Sequence, residues 1–259
     1  MQNLEGKVAI ITGGSRGIGR AIALRLSQNG ARLVICARTA AVLDEVVREI
    51  QAAGASAMAV AVDLRLPGAP STVVDAAVKA YGGIDIVVNN AGATKRGEFL
   101  ELTDDDWADG FALKFFGAVR LTRAAWPELK KRSGSVVNIS GAGGRTPGPE
   151  FTIGGSVNAA LLSFTKAMAD VGIRDGVQVN TINPGTIRTG RLQLRLASIV
   201  KEQRIDLETA ERRFVQEAQI TRIGEPEDVA NLVAYIVRSE GRFLQGSLID
   251  LDGGSTKTI

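Results

Sequence analysis

The chain has 259 residues, 45% of them hydrophobic, and a net charge of +3 from dispersed basic residues, which suits one large-cored domain over 1–259 with no nucleic-acid footprint. It holds no histidine and one cysteine, so a Ser-His-Asp triad, a histidine base, a zinc site and an intramolecular disulfide are excluded, and no metal is expected. No apolar run reaches the roughly 18 residues that span a bilayer, and the polar stretch from Met1 enters an apolar run by Val8 without room for a secretory leader, so a cytoplasmic protein is expected.

In chain order, apolar runs fit strands at 8–11, 33–36, 57–62, 84–88, 135–139, 177–182 and 248–251. Helix-period patterns fit 18–29, 40–53, 70–81, 104–131, 155–172, 191–218 and 226–238. Such alternation implies right-handed crossovers and an α/β fold, a doubly wound seven-stranded parallel sheet with helices on both faces. Ligands of these sheets lie at the carboxyl ends of the strands, where strand order reverses. The first such end reads Thr12-Gly13-Gly14-Ser15-Arg16-Gly17-Ile18-Gly19. Glycines let this backbone bend and approach a pyrophosphate, and unpaired N–H groups at the helix start attract its charge. Gly13, Ser15, Arg16, Gly17, Ile18 and Gly19 are therefore expected to cradle a dinucleotide.

Cys36 ends the second strand and reads as a small buried hydrophobe. Ala37-Arg38 follows, where a carboxylate normally holds the adenosine ribose. With no carboxylate present, Arg38 and Arg16 suit a 2′-phosphate, and the cofactor is read as NADP(H) in preference to NAD(H). Asp63 and Leu64 end the third strand, and Asn90, Ala91 and Gly92 follow the fourth; both groups are assigned to the nucleotide site. The amides of Asn89 and Asn90 equally suit tying strand ends together. Thr103 ahead of Asp104, Asp105 and Asp106 is a helix-capping pattern rather than a metal site, and Lys130-Lys131-Arg132 places cations at a helix end. Pro184, Gly185, Ile187 and Thr189, after the sixth strand, are expected to cup a nicotinamide amide.

TGGSRGIG, NNAG, NPGTIRT, the 222–228 segment RIGEPED and the terminal Asp252-Gly253-Gly254 together resemble the short-chain dehydrogenase/reductase family, most nearly its ketoacyl- and sugar-reductase-like members. The resemblance covers essentially the whole chain. It implies a Rossmann fold, a nicotinamide cofactor, a small-molecule carbonyl or alcohol substrate, a homotetramer or homodimer, and a substrate lid over about 190–221. It also implies an Asn-Ser-Tyr-Lys catalytic set, in which Tyr exchanges the proton, Ser holds the carbonyl oxygen, Lys lowers the Tyr pKa and Asn positions a water.

All four slots differ here. The Asn slot, seven residues after Trp107 and three before Gly117, holds Lys114; the Ser slot holds Gly141, the Tyr slot Gly154 and the Lys slot Asn158. The two tyrosines, Tyr81 and Tyr235, lie far from this stretch, and sliding the lysine slot to Lys166 moves it about 12 Å along a helix. Lys114 and Asn158 read as an exchange of residue types between facing positions, which makes Lys114 the candidate proton donor. Gly141, Gly143, Gly144, Gly154 and Gly155 are expected to enlarge the pocket, and Ser140, Thr152 and Ser156 are hydroxyls suited to substrate or to capping. Arg191, Arg195, Arg212 and Arg213 suit an anionic substrate or a solvated helix face. Two functions stay open: a carbonyl/alcohol oxidoreductase whose ordinary activity is weak or absent, and a non-catalytic dinucleotide-binding protein with a sensing or partner-stabilising role.

Overall fold

Successive residues of the first strand face opposite helix layers. Ala9 and Ile11 pack with Ile22, Leu26 and Val233, whereas Ile10 packs with Val73, Leu121 and Val136. This period-two division of fully buried side chains places a strand at the centre of a sheet covered on both faces. The computed structural model describes residues 4–258, so 1–3 of the polar lead-in and residue 259 fall outside it. Its strands are β1 (Val8–Thr12), β2 (Arg32–Ala37), β3 (Ala57–Ala61), β4 (Ile86–Asn89), β5 (Ser135–Ile139), β6 (Gln178–Pro184) and β7 (Leu248–Leu251). Its helices are α1 (Gly17–Gln28), α2 (Ala40–Ala52), α3 (Ala69–Tyr81), α4 (Asp104–Gly110), α5 (Gly117–Lys131), α6 (Thr152–Asp175), α7 (Gly190–Gln203), α8 (Leu207–Glu217) and α9 (Pro226–Val237).

Every pairing is parallel, in the order β3-β2-β1-β4-β5-β6-β7. Helices α1, α2 and α9 bury their apolar stripes on one face, and α3 and α5 on the other. The chain runs outward from β1 to β3 and then returns to β1's other side as β4. The carboxyl ends of β1 and β4 therefore form the crevice where such sheets take ligands. Among the described residues no helix is long and apolar enough to cross a membrane. Cys36 is buried, and burial pushes its thiol up to about 12, as suits a packing residue.

Element ends shift by up to three residues, and three differences from the expected elements have a local physical cause. The helix expected over 104–131 is interrupted by a π-helical turn, Phe111–Phe116, between α4 and α5. Hydrophobic periodicity does not register such a turn, because it is a single widened turn within a long helical stretch and none of its six residues is fully buried. The helix expected over 191–218 is two, α7 and α8, broken where Arg204 takes a left-handed φ of 54° and Asp206 caps α8 by accepting the Thr209 N–H at 2.7 Å. These two helices share a small core of Leu192, Leu196, Ala210, Phe214, Ile220 and Ile223. β4 begins at Ile86 because Asp85 uses its carboxylate to accept the Val8 N–H, 3.0 Å away, and to pair with Lys7. The capping pattern is as expected: Thr103 Oγ1 accepts the Asp106 N–H at 3.3 Å and the Asp106 carboxylate accepts the Thr103 N–H at 3.0 Å.

A buried polar chain joins the sheet to α5 and α6. Asn89 Nδ2 donates to Thr122 Oγ1 and to Asn138 Oδ1, at 3.0 and 2.8 Å, and Asn138 Nδ2 donates to Thr165 Oγ1 at 2.8 Å. Asn138→Ala is expected to destabilise the protein by about 1–3 kcal/mol, since it strands buried partners. Urea unfolding checks this: the midpoint falls while the slope stays constant.

Candidate functional site

Three loops meet at the carboxyl edge. In the loop after β1, Gly13 and Gly17 have φ of 67° and 53°, and a methyl at Gly19 would lie 2.2 Å from the Gly13 carbonyl oxygen. Only glycine meets these conditions without strain. The loop after β4 holds this one from beneath: Asn90 Nδ2 donates to Thr12 O at 2.9 Å, while Thr12 Oγ1 accepts the Asn90 and Ala91 N–H groups at 2.9 and 2.8 Å. The loop after β6 closes from the side, with Thr189 Cγ2 3.3 Å from where a Gly17 methyl would stand. Asn89 and Asn90 thus tie strand ends together, the structural half of their expected roles.

No side chain caps the start of α1, whose N-cap residue is Arg16 in an extended conformation. Its opening N–H groups are therefore left for an anion. Arg16 and Arg38 are both exposed, and neither forms an ion pair among the described residues. An uncapped helix start, a loop without side chains in its path and two unpaired guanidinium groups fit a dinucleotide with an additional phosphate. Asp63 is engaged nearby, accepting the Arg65 N–H at 3.0 Å, and Leu64 is buried against Gly117. Pro184 ends β6, a Gly185 methyl would meet Asp252 Cα at 2.7 Å, and Ile187 is buried and bridged to Gly224. Arg188 pairs with Glu211 and, at 2.9 Å, Glu225, so this loop is anchored to both α8 and the start of α9.

At the adjoining end of β5, the π-helical turn delivers Lys114. Its chain runs along Gly92, where a methyl would come 2.8 Å from Lys114 Cδ. Its Nζ donates to Ser140 O at 2.7 Å and to Asn158 Oδ1 at 2.6 Å. The two exchanged residue types are thus hydrogen-bonded to each other. Burial, followed by the charge of Arg191, brings the Lys114 pKa down from 10.5 to about 7. The Ser140 hydroxyl donates to the Asn158 carbonyl at 3.1 Å, a structural use, whereas Thr152 Oγ1 is buried with no partner and Ser156 is exposed.

The glycines do not enlarge the pocket as expected. A methyl at Gly154 would fall 2.1 Å from Phe151 Cε2 and Cζ, and one at Gly143 would fall 2.9 Å from the same ring. At Gly155 it would meet Pro147 Cβ at 2.7 Å, at Gly144 Asn158 Cβ at 2.9 Å, and at Gly141 Asn158 Nδ2 at 2.9 Å. Protein interiors fill to the density of organic crystals, so removed side chains let the 141–147 loop and the Phe151 ring close onto α6. Arg145 fastens this loop through Asp250 at 3.1 Å. Neither tyrosine stands in for the missing phenol: Tyr81 Oη accepts from Ser56 at the amino end of the sheet, and Tyr235 is exposed on α9.

Two residues beside the 141–155 glycines, Phe151 and Arg96, escape sequence reasoning. Phe151 carries a signal in its position, three places before Gly154 at a helix start, the spacing that stacks one side chain over another. Arg96 had no such signal; it lies in an irregular loop, with its guanidinium carbon 4.3 Å from the Phe151 ring centroid. Of the four arginines in α7 and α8, Arg191 reaches the crevice, donating to Gly92 O at 2.5 Å, and Arg195 stands over Phe214. Arg212 bonds instead to Thr209 within α8, and Arg213 to Gln203 at the end of α7.

Comparison with known proteins agrees with this architecture. The family description "short chain dehydrogenase" matches residues 7–198. An uncharacterised oxidoreductase of Mycobacterium tuberculosis is 40% identical over 258 residues, covering 99% of this chain and 94% of that one. The 4-formylbenzenesulfonate dehydrogenase of Comamonas testosteroni is 34% identical over 254 residues, covering 97% and 98%. The L-sorbose reductase of Gluconobacter frateurii, solved with NADPH and L-sorbose, superposes with a TM-score of 0.95 at 33% identity, covering 100% of this chain and 99% of that one.

Proposed function

The chain belongs to the short-chain dehydrogenase/reductase family, and from that premise we propose an NADP(H)-dependent oxidoreductase of a small carbonyl or alcohol compound in which the Lys114 amine exchanges the proton. The observation that carries this reading is the Lys114–Asn158 hydrogen bond. An ammonium has three N–H groups, and two of them are directed to Ser140 O and Asn158 Oδ1. The third is free for a substrate oxygen. After giving up that proton the neutral amine still has two N–H donors, so both protein hydrogen bonds survive the transfer. A pKa near 7 also lets the group be replenished at neutral pH.

Bound NADP(H) supplies or takes the hydride. The chain's part is to hold it: the glycine loop and α1 at the pyrophosphate, Arg16 and Arg38 at the 2′-phosphate, Asp63, Leu64 and Asn90–Gly92 along the nucleoside, and Pro184, Gly185, Ile187 and Thr189 at the nicotinamide. Arg38→Gln is expected to weaken NADPH binding by about tenfold or more while leaving NADH nearly unaffected, because it removes a charge-assisted contact to the phosphate alone. Fluorescence titration of each nucleotide checks this. We read 1–259 as one domain in which residues 190–221 form a substrate lid, and the protein as a homodimer or homotetramer, to which exposed Tyr235 and Phe243 offer apolar surface.

A second reading is favoured by one observation, the Phe151 ring filling the tyrosine slot: a dinucleotide-binding protein without turnover, sensing the nucleotide or stabilising a partner. The experiment that separates the two titrates NADPH by fluorescence and then follows its absorbance with ketones, β-ketoacyl thioesters and sugars. Oxidation that disappears in Lys114→Met supports the enzyme; binding with no oxidation across the panel supports the second reading.

A further inference from the structure

Among the described residues eight arginines, Arg20, Arg65, Arg132, Arg145, Arg174, Arg188, Arg222 and Arg238, are paired with carboxylates. The three at the mouth of the crevice are not. Among the described residues Arg96, Arg191 and Arg195 take part in no ion pair, although each is held in place. Arg191 is hydrogen-bonded to Gly92 O, on the same residue that the Lys114 chain crosses. Arg195 follows one turn later on the same face of α7, its guanidinium carbon 5.0 Å from the Phe214 ring centroid. Arg96 rests on Phe151, and its loop is tied down by the Gly97 N–H donating to Glu150 O at 3.2 Å. A guanidinium lying on a ring keeps its N–H edge free for a planar, two-oxygen partner.

These cations also repel one another. Burial lowers the Arg96 pKa and Arg195 lowers it further, against a smaller opposing effect of Glu150; Arg191 acts on Lys114 in the same sense. Like charges gathered at one opening, with Glu150 opposing them only in part at Arg96, focus a positive field into it. Arg212 and Arg213, bonded to the neutral side chains of Thr209 and Gln203, show the ordinary solvated alternative.

We propose that Arg96, Arg191 and Arg195 form an anion-binding mouth that selects carbonyl substrates bearing a carboxylate or a comparable oxyanion at the end remote from the reacting group. This rests on the crevice being a carbonyl-reducing site. In it, Arg96 and Arg195 grip the anion from the loop after β4 and from the lid, Phe151 lies beneath, and the carbonyl points inward to Lys114. Substrate entry then brings the two arginines together by neutralising their repulsion, so the anion closes the lid that recognises it.

The test compares matched pairs that differ only in charge: 4-formylbenzoate with its methyl ester, and acetoacetate with its methyl ester. Calorimetric titration of the NADP+-loaded protein at low salt is expected to favour at least one acid over its ester by about tenfold or more, the scale of a charge-assisted hydrogen bond. Arg96→Gln and Arg195→Gln should each remove most of that preference while leaving ester binding, NADPH affinity and melting temperature unchanged, and Arg96→Lys should restore part of it. Equal binding of acid and ester in both pairs, no binding of any of the four, or a preference that survives both substitutions overturns the proposal. NADPH oxidation is read separately. An acid preference without oxidation keeps the anion site and removes the reductase reading, whereas oxidation of acid and ester at equal KM does the reverse.

Discussion

Lys114→Met is expected to slow carbonyl reduction by about a hundredfold or more while NADPH affinity stays within a few-fold, since a positioned proton donor contributes roughly 10²- to 10⁴-fold. Met fills a similar volume but leaves Ser140 O and Asn158 Oδ1 without their donor. The informative companion is Lys114→Arg. A guanidinium can satisfy both acceptors and keep the positive charge, but it does not release a proton near neutral pH. If Lys114 only positions Asn158 or attracts the nucleotide, Arg restores turnover; if it transfers the proton, Arg is as inactive as Met.

The pH dependence carries the same distinction. With the amine at about 7, reduction needs the protonated form and falls as pH rises through that value, and alcohol oxidation needs the neutral form and climbs through it. Removing the Arg191 charge by Arg191→Gln should move both midpoints upward. Stability offers a readout free of turnover. The Lys114 pKa is depressed in the folded protein, so between about 7 and 10.5 the unfolded chain binds more protons than the folded one. Wild type should therefore gain stability relative to Lys114→Met as pH rises through that window. Parallel denaturation curves for the two proteins would reveal a lysine of ordinary pKa.

The layered sheet was legible because β1, β2 and β4 are apolar on both faces and the strands alternate with helices, a pattern few other folds produce. The glycine loop was legible because its strand and helix flank it closely. The Lys114–Asn158 exchange was also visible, as two departures at positions that face each other. What could not be read were features set by packing between distant segments. The π-helical turn at Phe111–Phe116 has no fully buried residue to mark it, and the break between α7 and α8 turns on the backbone of Arg204 together with the Asp206 cap. The glycines misled for a physical reason: read along the chain they are missing side chains, and in the fold each is a place where another group arrives. Gly154 and Gly143 are where Phe151 arrives.

That arrival sets the second large effect. Installing the family's residues through Lys114→Asn, Gly141→Ser, Gly154→Tyr and Asn158→Lys is expected to yield no ketone reduction and a markedly less stable protein. Even Gly154→Ala, with its methyl 2.1 Å from the Phe151 ring, should cost about 1–3 kcal/mol of overpacking, and a phenol cannot enter until that ring leaves. Phe151 is not free to leave without consequence, because it also lies over Gly143 and carries Arg96. Phe151→Ala should therefore destabilise the wild type yet rescue Gly154→Tyr, a favourable coupling that a double-mutant cycle of urea midpoints would expose. Only on the Phe151→Ala background should the four substitutions bring measurable ketone reduction. A Gly154→Tyr protein with wild-type stability would mean that the ring swings aside at little cost, and the barrier to restoring a tyrosine mechanism would then lie in the four side chains themselves.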